Sequence, residues 1–194
     1  MFTGIVEKRG EILSAKQKGM SRVIRVEKPA SWILKKGQSI AVDGICSTVQ
    51  KFGPRYFEVT YMPETLMRTI ARGYVRGRVV NLERSLKLGS AVEGHLVQGH
   101  IDTQGKVVRV VPRGSSREVS IRISSRLMPF VARKGSISVN GVSLTVASLG
   151  KNIFTVALVP YTLEHTNLGG LKSGSEVNIE TDMIARYLAR LVNR

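Results

Sequence analysis

The chain has 194 residues, 42% of them hydrophobic, and a formal net charge of +16, which suits one large domain or two small ones. No apolar run approaches the roughly 20 residues of a membrane-spanning helix, and the start of the chain lacks the basic and apolar segments of a signal peptide. The only cysteine, Cys46, cannot form an internal disulfide, so we expect a cytoplasmic protein that does not associate with membranes.

The 30 Lys and Arg residues raise the question of a nucleic-acid partner, because clustered cations neutralise phosphates. These residues are scattered over separate segments, and few aromatic side chains lie between them to stack on bases. The composition therefore favours a solvated basic surface over nucleic-acid binding. Electrostatic steering of an anionic partner is the third interpretation.

The first half of the chain has short strand-like runs separated by turns that contain glycine. Residues 39–42 alternate in polarity and end at Asp43-Gly44, a turn signal, and residues 56–60 are rich in aromatic and β-branched side chains. Pro63 opens a Pro-x-Thr-Leu segment that predicts a helical turn, since proline suits the first helical position. Strands of this length and spacing predict a small closed barrel or a sandwich.

The second half of the chain repeats the first, and it contains the matching turn signal Asn140-Gly141 and a second Pro-x-Thr-Leu segment, at Pro160, that predicts a helical turn. Residues 136–180 match residues 39–83 at 18 of 45 positions with a shift of 97, where chance would give roughly three. The leading segments also match, with Gly4 opposite Gly99 and Ile5 opposite His100. Two copies at so long a period indicate duplicated domains, which we place at residues 1–95 and 96–182.

The last segment of the chain differs from the repeated unit. Large apolar residues recur at 183, 184, 187, 188, 191 and 192, which gives one apolar stripe at the helical period, and Asp182 could cap the start. This pattern predicts a helix over residues 183–194. The helix either packs on its own barrel or joins subunits.

Five motifs in order resemble the riboflavin synthase family, and the resemblance extends over nearly the whole chain. They are MFTGIVE at 1–7, DGICSTV at 43–49, GHLVQGHID at 94–102, NGVSLTV at 140–146 and PYTLE at 160–164. The resemblance implies an all-β fold of two similar six-stranded Greek-key barrels with a short C-terminal α-helix, assembled as a homotrimer. It also allows an association with lumazine synthase.

The resemblance implies an activity as well. Two molecules of 6,7-dimethyl-8-ribityllumazine dismutate by transfer of a four-carbon unit, which gives riboflavin and 5-amino-6-ribitylamino-pyrimidinedione. No metal and no organic cofactor is expected. The alternative is an antenna-type protein that holds one lumazine or flavin without turnover and would be expected to lose the catalytic side chains.

The resemblance assigns site residues to each half. The first pocket is expected at Gly4, Ile5, Val6, Cys46, Ser47, Thr48, Thr60, Tyr61, Met62, Pro63, Glu64 and Thr65. The second pocket is expected at Gly99, His100, Ile101, Lys134, Ser143, Leu144, Thr145, Leu158, Val159, Pro160, Tyr161, Thr162 and Leu163. The working site is expected to combine the first barrel of one subunit with the second barrel of its neighbour.

The expected catalytic residues are Cys46, His100, Ser143, Thr145 and Ser39. Because both halves bind the same molecule but treat it differently, positions that differ between the copies are the best candidates. Cys46 stands opposite Ser143, and an imidazole such as that of His100 titrates near neutral pH and suits proton transfer.

Each candidate also has a structural interpretation. Cys46 could be a small buried hydrophobic residue, and Lys134 an ordinary loop lysine. Ser39 is matched by Ser136, so a strand role is as good an explanation, and the paired threonines suit strands in their own right. The two other histidines, His95 and His165, are interpreted as structural.

Overall fold

The computed structural model describes residues 1–192, and it is built mainly of short antiparallel strands in two similar halves. The first half contains β1 (Lys8–Lys18), β2 (Ser21–Glu27), β3 (Ser39–Val42), β4 (Ile45–Thr48), β5 (Lys51–Phe52), β6 (Tyr56–Tyr61), α1 (Pro63–Arg68), a 3-10 turn (Ile70–Gly73) and β7 (Val79–Arg84). The second half contains β8 (Thr103–Arg113), β9 (Ser116–Arg122), a 3-10 turn (Ser125–Phe130), β10 (Ser136–Val139), β11 (Val142–Leu149), β12 (Ile153–Leu158), α2 (Pro160–His165), a 3-10 turn (Asn167–Gly170) and β13 (Glu176–Thr181). Helix α3 (Met183–Val192) follows.

The two halves share one strand order. The second half is a closed barrel in the order β10-β11-β12-β9-β8-β13, and the first half runs β4-β3-β7-β1-β2-β6-β5. These orders coincide once β11 is matched to β4 and β5 together, because the first copy of this strand is interrupted between Thr48 and Lys51. The predicted duplication and the all-β fold are confirmed, and so are the helical turns that begin at Pro63 and Pro160.

The turn of hairpin β3–β4 packs against the turn of hairpin β10–β11. Both turn residues of each hairpin have positive φ, 47° and 76° at Asp43-Gly44 and 47° and 77° at Asn140-Gly141. Glycine suits these positions because it has no Cβ. A Cβ atom added at Gly44 would lie 2.6 Å from the backbone nitrogen of Gly141, so each turn requires its glycine for the other to fit.

Two hydrophobic cores fill the halves, with the equivalent residues Phe57 and Phe154 fully buried in them. The segment that precedes each half, which we call its leading segment, packs on the core of the opposite half. Ile101 packs in the first core, and Val6 packs against the second. An antiparallel bridge between Phe2 and Val97 joins the two leading segments where they cross. The domain boundaries at 95 and 182 stay a prediction.

Helix α3 begins where the sequence predicts. The Oδ1 of Asp182 accepts a hydrogen bond from the backbone of Ile184 at 2.9 Å, which caps the helix. The large apolar side chains of Tyr187, Leu188 and Leu191 are exposed. The last two residues of the predicted helix, 193 and 194, lie outside the described residues. Within residues 1–192, no helix has the length and hydrophobicity needed to cross a bilayer.

Candidate active site

Strand β4 divides its residues between the barrel interior and the outer face, as strand geometry requires. Cys46 is half-buried and Thr48 is exposed on the outer face, whereas Ser47 lies inside. The Ser47 hydroxyl lies 2.9 Å from that of Tyr61 and donates to the carbonyl of Ile45 at 2.8 Å. Burial raises the pKa of the Tyr61 hydroxyl, so this interior pair stays neutral.

Several residues that the sequence assigns to the pockets therefore keep their side chains inside the barrels. These are Ser47, Tyr61 and Ile101 in the first barrel and Leu144 and Leu158 in the second. Only their backbone groups remain for a ligand. The outward set around Cys46, Thr48, Ser143 and Thr145 is the one that offers side chains.

The segment that carries His100 lies on the Cys46 strand. The backbone nitrogen of Cys46 donates to the carbonyl of Gly99 at 2.9 Å, and a Cβ added at Gly99 would lie 2.7 Å from the Cys46 Cβ. Gly99 has a φ of 78°, so both its conformation and its close approach require glycine. His100 follows it and is exposed.

We call this contact between a leading segment and a strand a junction. The second half contains the equivalent junction, between Gly4 and Ser143. The backbone nitrogen of Ser143 donates to the carbonyl of Gly4 at 2.7 Å, and a Cβ at Gly4 would lie 2.7 Å from the Ser143 Cβ. Ile5 follows Gly4 and is 39% exposed. The sequence prediction grouped Gly4, Ile5 and Val6 with Cys46, and Gly99, His100 and Ile101 with Ser143. The structure corrects this grouping, because the two leading segments cross at the bridge between Phe2 and Val97.

Two buried glutamates hold these segments in place. Glu83 accepts from the backbone nitrogens of Thr3 at 2.6 Å and Gly4 at 3.1 Å. Glu180 accepts from the backbone nitrogens of Gln98, Gly99 and His100 at 2.7, 2.9 and 3.1 Å. Burial raises the pKa of both carboxyls, that of Glu180 to about 7, although the N–H donors act in the opposite direction. Their identity in the repeat was the only sequence signal of this role.

The surroundings of Cys46 and Ser143 differ. Cys46 packs against a buried apolar cluster of Phe2, Ala41 and Val97. The Oγ of Ser143 lies 2.6 Å from Nδ1 of His95, a residue that the sequence analysis interpreted as structural. The first junction therefore presents a thiol beside apolar groups, and the second presents a hydroxyl bonded to an imidazole.

The remaining predicted residues lie around these junctions. Thr48 is the strand partner of Ser39, and Thr145 is the partner of Ser136. Thr60 donates its hydroxyl proton to the Gln50 side chain at 2.7 Å. Lys134 is exposed with a φ of 65°, and its backbone nitrogen donates to Val146 at 2.8 Å.

The helical turns α1 and α2 carry the rest of the predicted residues. Met62, Pro63, Glu64, Val159, Pro160 and Tyr161 are exposed, and Thr65, Thr162 and Leu163 are half-buried. Glu64 forms an ion pair with Arg68 one turn on, and Tyr161 stacks on His165. The exposed tips of α1 and α2 therefore offer both apolar and polar side chains to a ligand.

Two clefts of the single chain are open to solvent, and each contains one residue predicted to line a pocket, Leu163 in the larger and Ile5 in the smaller. A cleft of about 590 Å³ between the halves is lined by Arg9, Arg78, Asn140, Leu163 and Asn167, among others. A smaller cleft of about 310 Å³ is lined by Ile5 together with Thr3, Glu83 and Arg84, among others. Cys46, His100, Ser143 and Thr145 line neither cleft. Across the described part of the chain, no group of three or more His, Cys, Asp or Glu residues is placed to hold a metal ion.

Comparisons with known proteins agree with this architecture. The lumazine binding domain family model matches residues 3–85 and 98–182. Riboflavin synthase of Brucella abortus is 40% identical, covering 98% of both chains, and that of Bacillus subtilis is 37% identical, covering all of this chain and 91% of that protein. The crystal structure of LumP complexed with riboflavin superposes with a TM-score of 0.87 at 26% identity, covering 93% of this chain and 99% of that one. LumP complexed with 6,7-dimethyl-8-(1'-D-ribityl) lumazine superposes at 0.85 and 25%, with the same coverage.

Proposed function

This chain belongs to the lumazine-binding family, and from that premise we propose that it catalyses the riboflavin synthase reaction. Two molecules of 6,7-dimethyl-8-ribityllumazine react. One gives a four-carbon unit and becomes 5-amino-6-ribitylamino-pyrimidinedione, and the other accepts the unit and becomes riboflavin. The enzyme is a transferase.

The pair of mirrored junctions carries the proposal. Cys46 on Gly99 and Ser143 on Gly4 have the same backbone geometry, with hydrogen bonds of 2.9 and 2.7 Å, so each half can hold the same molecule in the same way. The reacting side chains differ, a thiol in one and a hydroxyl in the other. Identical molecules would therefore bind alike and meet different chemistry.

The two pockets follow from the corrected pairing. The first is Cys46, Thr48, Gly99 and His100, with Thr60 to Thr65 beside them. The second is Ser143, Thr145, Gly4 and Ile5, with Leu158 to Leu163 beside them. Ser39 and Lys134 remain candidates at the edges of the first and second pockets respectively.

The substrate supplies much of the chemistry. The carbanion at the C7 methyl group of the lumazine delocalises into the ring, which acts as its own electron sink. The protein then has to align two rings and place neutral donors and acceptors around them, which is catalysis by proximity and orientation. Hydroxyls, a thiol, an imidazole and backbone amides suffice for this task.

The open position of both junctions favours a site completed by a second subunit. Cys46 and Ser143 lie on outer faces of their barrels, and α3 exposes Tyr187, Leu188 and Leu191. We place the working site between the first barrel of one subunit and the second barrel of its neighbour in a homotrimer. A cytoplasmic location and an association with lumazine synthase belong to the same proposal.

The purified chain incubated with the lumazine tests the proposal. Riboflavin fluorescence that grows with time and with enzyme concentration is the expected result. LumP, the structural neighbour, is the specific reason to consider an antenna-type binding protein. A stable lumazine complex that forms no riboflavin would establish that alternative and reject the enzymatic proposal.

A further inference from the structure

The hydroxyl of Ser143 is held by an imidazole that has no counterpart in the first half. Its Oγ lies 2.6 Å from Nδ1 of His95, and both residues are half-buried. The backbone nitrogen of Ser143 is already bonded to Gly4, so the hydroxyl is the free polar group that this residue can direct at a ligand. At the equivalent place in the repeat, the Cys46 side chain packs against the apolar residues Phe2, Ala41 and Val97.

The position of His95 is set by its backbone. Its nitrogen donates to the carbonyl of Thr3 at 3.1 Å. A Cβ at the preceding Gly94 would lie 2.1 Å from that carbonyl oxygen and 2.9 Å from the Ser143 Cβ, so only glycine allows this approach. The backbone of the segment that carries His95 is thus held close to Ser143.

The imidazole is neutral near pH 7. Burial lowers the pKa of His95, and the negative charge of Asp182 only partly opposes this effect. A neutral imidazole has one nitrogen that accepts and one that donates. With Nδ1 as the accepting nitrogen, the hydroxyl of Ser143 is the donor in their hydrogen bond.

We propose that His95 is a positioning residue whose Nδ1 accepts the hydrogen bond of the Ser143 hydroxyl, which leaves the lone pairs of Ser143 Oγ to accept a hydrogen bond from its lumazine. The inference rests on the proposed function, in which Ser143 faces one of the two substrate molecules. A hydroxyl fixed in this way selects a hydrogen-bond donor, and the lumazine offers its ring imide N–H and its ribityl hydroxyls.

This pairing also makes the two pockets unequal in polarity. The second pocket presents an oriented acceptor, whereas the first presents a thiol that packs on Phe2, Ala41 and Val97. Two identical rings would then meet different hydrogen-bonding partners. The difference extends the exchange of Cys46 for Ser143 to a second residue, His95, that lies outside the segments that match between the two copies.

A double-mutant cycle on lumazine binding tests the proposal. We expect His95→Ala and Ser143→Ala each to weaken lumazine binding about tenfold, as the loss of one oriented hydrogen bond predicts. The double variant should bind no more weakly than either single variant. His95→Asn should recover most of the loss, because its amide oxygen can accept from the hydroxyl where Nδ1 did. Ser120→Ala, which removes another half-buried hydroxyl bond of 2.9 Å in the same barrel, is the matched control and should bind as the wild type does.

The outcomes separate this proposal from the proposed function. Binding is measured by the change in lumazine fluorescence, so it gives a result whether or not riboflavin forms. Losses that multiply in the double variant, or a His95→Asn variant as weak as His95→Ala, would overturn the positioning role. Wild-type chain that binds lumazine with the expected coupling but makes no riboflavin would overturn only the enzymatic proposal. Thermal unfolding of each variant shows that the compared chains are folded.

Discussion

Single residues set the difference between the two halves. Cys46 and Ser143 occupy equivalent places on equivalent strands. The backbone nitrogen of each donates a hydrogen bond to a glycine carbonyl in the leading segment of the opposite half, Gly99 for Cys46 and Gly4 for Ser143. A difference in side chains on the same backbone geometry would give two bound lumazine molecules different roles, one as donor and one as acceptor. The consequences can be tested residue by residue.

The first prediction concerns the proposed reacting groups. Cys46→Ser and His100→Ala should each lower turnover at least tenfold, because we propose that the thiol and the imidazole act on the substrate. The free energy of unfolding should change by about 1 kcal/mol or less, since Cys46 is only half-buried and His100 is exposed. Riboflavin formation and denaturant unfolding measure the two effects. Full activity in both variants would reject this assignment of the reacting centre.

The second prediction concerns Asp43, a buried carboxyl where the repeat has Asn140. Burial raises the pKa of Asp43 to about 6, against hydrogen bonds from Asn81, Asn167 and Tyr74. The native state therefore holds a proton that the unfolded chain releases above about pH 4, so wild-type stability falls as the pH rises from 4 to 6. Asp43→Asn cannot titrate and should gain stability relative to the wild type over that range, by up to roughly 3 kcal/mol. Unfolding free energies at pH 4.5 and 7.5 provide the test, and a pH-independent difference would contradict it.

Sequence reasoning paired equivalent residues where the repeat carried the information, but it assigned the interior residues Ser47 and Tyr61 to the first pocket. The pair Cys46 and Ser143 followed from the repeat alone. Ser47 and Tyr61 lie inside the barrel because β4 and β6 turn these side chains inward and a hydrogen bond joins them. The two residues are 14 apart in the chain, so no local pattern reveals their contact. The role of His95 could not be predicted, because it has no equivalent in the other copy and its partner, Ser143, is 48 residues away.

At the scale of elements, the crossed leading segments organise the site. Each is held by a glutamate of its own half and bonds to a hairpin of the other half. Local patterns predicted the turns at Asp43-Gly44 and Asn140-Gly141 and the helical turns at Pro63 and Pro160. They could not predict the crossing, since the contacts of Gly4 with Ser143 and of Gly99 with Cys46 are long-range and leave no periodic pattern.

The third prediction tests this support. Glu180→Gln puts an amide nitrogen against the backbone donors of Gln98, Gly99 and His100, so it should loosen the His100 segment. We expect a stability loss of about 1–3 kcal/mol and a fall in turnover at least tenfold. Glu118→Gln, which breaks an exposed ion pair with Arg113, is the matched control and should change neither. Turnover that is unchanged in Glu180→Gln would show that the segment needs no such support.

The molecule as a whole leaves its candidate site open, and α3 is the element that a second subunit would cover. The helix presents Tyr187, Leu188 and Leu191 to solvent, which is an apolar surface that residues 1–192 leave exposed. The apolar stripe was visible in the sequence. Which of its two interpretations applies depends on the assembly, and in the single chain the side chains of Tyr187, Leu188 and Leu191 are more than half exposed.

The fourth prediction follows from this exposed face. Replacing Leu188 and Leu191 together by Glu should convert the proposed trimer to monomers and remove turnover, while each chain stays folded. Leu88→Glu, which changes a fully exposed leucine in the link between the halves, is the control and should leave both properties unchanged. Light scattering and riboflavin formation measure the outcome. Monomers that keep full activity would contradict a site shared between subunits.

The most direct measurement is the mass balance of the reaction when the wild-type chain is given only 6,7-dimethyl-8-ribityllumazine. Chromatography should show two lumazines consumed for each riboflavin formed, with one 5-amino-6-ribitylamino-pyrimidinedione released alongside it. This ratio is what twin pockets with one donor and one acceptor require. Lumazine that stays bound and unchanged, or riboflavin formed at any other ratio, would contradict the account.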